Sequence, residues 1–104
     1  MNKALSLLSM CRKAGMLAMG MDPVKDACRN YTAKCVLVST DISPKSLKEV
    51  RFVCSQQHIV ILALDAPMDE IWGILGKKVG ILGVCDLGFK KKLLTMLEPI
   101  KEEK

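Results

Sequence analysis

The chain has 104 residues, half of them apolar and 26% charged, with a net charge of +5. That length supports one hydrophobic core and excludes a multidomain organisation. No apolar run approaches the roughly 20 residues of a membrane span, and Arg12 and Lys13 interrupt the region a signal peptide would occupy, so a cytoplasmic protein is expected.

Ala4, Leu7, Leu8, Cys11 and Ala14 recur at helical spacing and predict a first helix over residues 2–14, ended by Gly15. Met16 to Met19 predicts a very short strand. Asp22-Pro23 is a helix-start pair, because Asp can accept from free amides and Pro has none to satisfy in the first turn. A second helix is therefore expected from Pro23 to about Tyr31, with Val24, Ala27, Cys28 and Tyr31 inward.

Cys35 to Val38 is an unbroken β-prone run, read as a strand covered on both faces. Ser43-Pro44 opens a third helix through about Gln56, with Leu47, Val50 and Cys54 inward and Lys45–Glu49 as an i,i+4 pair outside. Ile59 to Leu64 predicts a buried strand, and Asp65-Ala66-Pro67 breaks it to start a short helix through Leu75. Val79 to Cys85 predicts a further strand, with Gly80 and Gly83 where another backbone approaches closely. Asp86 caps a last helix that carries Phe89, Leu93 and Leu97 inward and stops before Pro99. Helices alternating with buried strands make an α/β domain over residues 1–99, with helices on both faces of a small sheet. Residues 100–104 read as a frayed tail.

The excess charge lies in one half. Residues 1–58 hold nine Lys/Arg against four acids, whereas residues 59–104 hold seven of each. One-sided basic charge is the footprint of a polyanion partner. The same half contains Arg12 to Lys25, where two glycines precede a helix start. A helix N-terminus beside a hinged loop is a ready anion site, since its unpaired amides and dipole favour phosphate.

Other chemistry is absent from the pattern. The five cysteines (11, 28, 35, 54 and 85) form no C-x-x-C pair and fall where small apolar residues belong, so neither a metal nor a disulfide is expected. His58 has no nucleophile beside it, and Gly73 to Lys77 lacks the spacing of a phosphate loop. Lys90, Lys91 and Lys92 read as a solvated helix face. No catalytic set, cofactor or small-molecule substrate is implied.

Arg12-Lys13-Ala14-Gly15, the run from Ala33 through Asp41 to Pro44, Leu75-Gly76-Lys77, and Val84 to Phe89 occur in an order that resembles a known family. It is the kink-turn RNA-binding superfamily of L-seven-Ae-type ribosomal proteins, in particular its small bacterial YlxQ/YbxF-like branch. The resemblance covers about residues 2–97. It implies a three-layer α-β-α sandwich with a small mixed sheet that binds structured RNA, ribosomal or other non-coding, without catalysis. It also implies RNA contacts at the start of helix two and at a later loop. Gly20 and Asp22 fall on the family's Gly and Asn positions, whereas Pro23 and Asp26 fall on its Glu/Gln and Lys positions. The residues expected at RNA are Lys13, Gly20, Met21, Asp22, Lys25, Arg29 and Lys45, with Leu64, Asp65 and Ala66 as the later loop. Lys25 and Arg29 share a helix face and are expected to reach phosphate. A second reading on the same fold is a protein-interaction module, for which Met16, Met19 and Met21 would supply an adaptable apolar surface and Trp72 an anchor.

Overall fold

The structure, a computed structural model, describes residues 2–101. In chain order it contains α1 (Lys3–Lys13), β1 (Leu17–Met19), α2 (Met21–Arg29), β2 (Cys35–Val38), α3 (Pro44–Gln57), β3 (Ile61–Ala63), α4 (Met68–Leu75), β4 (Ile81–Val84) and α5 (Leu87–Met96). The sheet order is β1-β4-β2-β3; β4 is antiparallel to both its neighbours and β2 is parallel to β3, a mixed sheet as expected.

The strand period of two divides the apolar run of β2 between two cores. Cys35 and Leu37 join Leu62, Leu82 and Val84 beneath α1, α4 and α5. Val36 and Val38 join Ile61 and Ile81 beneath α2 and α3. All four residues of β2 are buried, because helices cover both faces. The three-layer sandwich follows from this. Gly83 lets α2 lie close on β4: a side chain there would meet Val24 Cγ2 at 3.4 Å.

Helix ends follow local chemistry. Asn2 caps α1, accepting from the amides of Ala4 (2.9 Å) and Leu5 (3.2 Å), while Arg12 and Lys13 face the negative end of its dipole. Ser43 caps α3 with Pro44 in the first turn, and Asp86 caps α5 by accepting from Phe89 N–H at 2.9 Å.

Four expectations need correction. The second helix begins at Met21 with Gly20 at the N-cap, so Asp22 stands inside the first turn instead of capping it. Tyr31 lies past that helix in a left-handed conformation (φ 60°), and at 73% exposure it is no part of the core. The strands expected over 59–64 and 79–85 shorten to 61–63 and 81–84, since only their central residues find ladder partners. Ile100, expected to fray, donates its amide to Ile61 O at 2.9 Å and packs against the α2–α3 core. Residues 102–104 of the expected tail lie outside the described residues.

Candidate nucleic-acid interface

Topology delivers three helix N-termini to one end of the sheet. β1 turns through Gly20 into α2, β2 turns through residues 39–43 into α3, and β3, parallel to β2, leads through Pro67 into α4. Between them opens a cavity of about 260 Å³, lined by Met21 of α2, Ser43 and Ser46 at α3, Met68 of α4, and Lys78 and Gly80 on the segment entering β4.

Two of the three ends are capped. Ser46 N–H donates to Ser43 Oγ at 3.2 Å, and Met68 N–H donates to Asp41 Oδ1 at 3.0 Å. The Met68 amide is the main cause that holds the Asp41 carboxyl below its ordinary range. The α2 end has no side-chain acceptor, and Pro23 contributes no N–H of its own. Its first amides therefore stay without a side-chain cap beside the cavity, and the acid that offsets the dipole there is Asp22 in the first turn. Gly20 makes this entry possible, with φ 103° and ψ 165°, a conformation essentially reserved for glycine. Its amide donates to Ile81 O at 3.0 Å, which ties the start of α2 to β4.

Ser39 is buried, and its hydroxyl has no hydrogen-bond partner among the described residues. Ser39 Oγ and Met68 Sδ would stand 3.0 and 3.4 Å from a Cβ on Gly80, so a larger residue there would have to push these two side chains aside by a few tenths of an ångström. At the rim, Lys78 Nζ lies 3.1 Å from Asp69 Oδ1 while its side chain stays 58% exposed. Lys45 and Lys77 are exposed and form no ion pair among the described residues.

The residues singled out from the sequence divide into four groups. Gly20, Met21 and Asp22 stand at the open end of α2, and Lys45 stands in the first turn of α3. Lys25 and Arg29 are each engaged by a carboxylate: Lys25 Nζ is 2.6 Å from Glu49 Oε1, and Arg29 is 3.5 Å from Asp26. Glu49 thus bonds across to α2, in place of the outer pair expected with Lys45. Lys13 closes α1, and the chain must traverse β1 from there before it reaches Gly20. Leu64 and Ala66 are each 1% exposed, so their side chains belong to the core and not to the later loop expected at RNA. Asp65 faces elsewhere, its carbonyl accepting from Asn2 Nδ2 at 2.9 Å beside the start of α1.

A sequence profile for the ribosomal protein L7Ae/L30e/S12e/Gadd45 family matches residues 2–93. The chain belongs to that family. It is 31% identical over 96 residues to the RNA-binding protein YlxQ of Enterococcus faecium, covering 92% of each chain. It is 28% identical over 97 residues to the RNA-binding protein YlxQ of Bacillus subtilis, covering 88% of this chain and 92% of that one. A solved structure of a protein of unknown function from Bacillus halodurans superposes with a TM-score of 0.83 at 27% identity, covering 92% of this chain and 97% of the other.

In this member of the L7Ae family, the second segment that meets the α2 end is the one between α4 and β4. Leu64 to Met68 reaches the cavity only through Met68. The signal was present in the sequence: Gly76-Lys77-Lys78-Val79-Gly80 brackets two cations with glycines between a helix and a strand. What the sequence could not supply was distance. That Lys78 and Gly80 stand across from Met21 follows only from the pairing of β4 with β1 and β2. Asp41 and Ser46 were missed for the same reason. The five cysteines are all free, four of them buried and Cys85 half-buried, and no metal-binding cluster occurs among the described residues.

Proposed function

We propose that the chain is a non-catalytic RNA-binding protein whose RNA, a kink-turn or a related structured ribosomal or other non-coding element, docks at the end of the sheet where α2, α3 and α4 begin. The observation that carries this reading is the uncapped N-terminus of α2 opening onto a cavity rimmed by Lys78, in a chain whose relatives carry the name of an RNA-binding protein. Phosphate is held by the free amides of α2 and by Lys45, Lys77 and Lys78, and a base edge meets the polar side chains of Asp41 and Ser43 in the cavity. Pro23 has no polar side-chain atom, and Asp26 turns to Arg29, so these two positions do not read bases as Glu and Lys would. Specificity falls instead on Met21, Asp41, Ser43 and the Gly76–Gly80 segment. The setting is cytoplasmic.

Binding of the purified protein to a labelled kink-turn RNA, and to the same RNA without its G·A pairs, tests this at two salt concentrations. Tight binding that favours the intact turn is expected, with Lys78→Glu and Lys45→Glu each weakening it roughly tenfold at low salt without unfolding the domain. Equal binding to both RNAs would remove kink-turn specificity, and no binding to either would overturn the reading.

For the protein-interaction alternative, Trp72 is exposed as an anchor would be, but the expected methionine surface is not formed. Met19 and Met21 pack against the two cores, so of the three methionines only Met16 is exposed. Exposed apolar side chains are spread over both helix layers, with Met10, Trp72 and Met96 on one side and Tyr31 and Phe52 on the other.

A further inference from the structure

The seam between α2 and α3 leads away from the cavity, and its first occupants are an ion pair. Met21 lines the cavity, and Lys25 lies one turn behind it on α2; Ser46 lines the cavity, and Glu49 lies about one turn behind it on α3. Lys25 and Glu49 meet there at 2.6 Å. The lysine side chain is 19% exposed and the glutamate 46%, so the carboxylate forms the outer surface and covers the cation. Lys45 stands four residues before Glu49 on the same helix, close enough for attraction along one face. Lys25 and Lys45 therefore both act on one carboxylate, the first by direct contact and the second through its charge. The bond and charge from Lys25, with a smaller contribution from Lys45, hold Glu49 below its ordinary range and keep it ionised at neutral pH.

We propose that Glu49 is an internal stand-in for phosphate, which occupies Lys25 and screens Lys45 until an RNA backbone laid along the α2–α3 seam displaces it. This rests on the RNA-binding reading above and adds a specificity-determining residue to it. An ammonium has three donors and no fixed plane, so Lys25 can pass from carboxylate to phosphate oxygen with little movement. Opening the pair opposes binding. An RNA whose backbone follows the seam recovers that cost through the Lys25 contact, whereas an RNA held only at the rim does not. Glu49 thus suppresses binding driven by charge alone.

The test uses the full chain with Glu49→Gln, Lys25→Met and the double variant, each checked for an unchanged thermal midpoint. The probes are the labelled kink-turn RNA and a plain RNA duplex of equal length. Glu49→Gln is expected to bind both RNAs more tightly at low salt, on the order of fivefold for the duplex, with a salt slope steeper by about one phosphate contact. The double variant should lose that gain, while Lys25→Met alone should change duplex binding less than twofold. Unchanged affinity and slope in Glu49→Gln would overturn the proposal. So would a gain that persists in the double variant, since it would not involve Lys25, or a loss in Lys25→Met as large as the gain in Glu49→Gln, since the two would then report net charge and not release of Lys25. If neither RNA binds wild type or Glu49→Gln, the RNA-binding reading itself fails and this proposal falls with it.

Discussion

Gly20 shows how much one residue decides in this fold. Its backbone occupies a region closed to side-chain-bearing residues, yet the nearest atoms to an added Cβ are 3.8 Å away, at Pro23 and Val79. The constraint is conformational and not one of space. Gly20→Ala is therefore expected to lower stability by about 1–3 kcal/mol, read from the urea midpoint. Because the strain is relieved by moving the start of α2, RNA affinity should fall further than the loss of folded protein explains. Affinity that tracks the folded fraction alone would show that the α2 end plays no part in binding.

At the scale of elements, Asp41 ties the loop after β2 to the start of α4, 27 residues further along the chain. It leaves β2 and caps α4, accepting from Met68 N–H. Its folded carboxyl titrates below the ordinary value, so the stability it contributes is fully present above about pH 4 and is lost as pH falls through the lower folded value. Asp41→Asn keeps an acceptor but removes the titration. Between neutral pH and pH 3 the variant's thermal midpoint should fall less than that of wild type; parallel falls would mean other carboxylates govern acid unfolding. Elements were readable in the sequence to the extent that their signals are local. Ser43-Pro44 and Asp86 marked helix starts because caps act within three residues, and the all-apolar run at Cys35 to Val38 marked a strand buried on both faces. Asp22-Pro23 misled because Gly20 reaches a backbone conformation that opens the helix two residues earlier. The ion partner of Lys25 was illegible, since Glu49 is adjacent only after α2 and α3 pack side by side on the sheet. The resemblance points to Leu64 and Ala66 as a loop offered to RNA; both do lie between β3 and α4, but their side chains are buried beneath the outer helices, which position in sequence does not show.

The whole molecule separates its tasks by location. Two apolar cores on opposite faces of the sheet hold it together, and the cysteines serve them as small buried side chains; burial raises the thiols of Cys35 and Cys54 to about 12, far from reactive thiolate. The end of the sheet where three helices begin holds the cavity at which RNA is proposed to dock. The lateral edges have a different requirement. β3 is the last strand of the sheet, and a bare edge invites another chain to add to it. Residues 98–100 lie along that edge: Ala63 N–H donates to Glu98 O and Ile100 N–H to Ile61 O, both at 2.9 Å, with Pro99 opposite Leu62. Proline offers no donor outward, so the covering segment itself ends the ladder. Ile100, expected to belong to a loose end, thus joins Glu98 and Pro99 in covering an edge open to aggregation. Removing everything after Leu97 should leave the fold recognisable by circular dichroism but make the protein self-associate with concentration, seen as rising light scattering. A truncated chain that stays monomeric would show that β3 needs no guard.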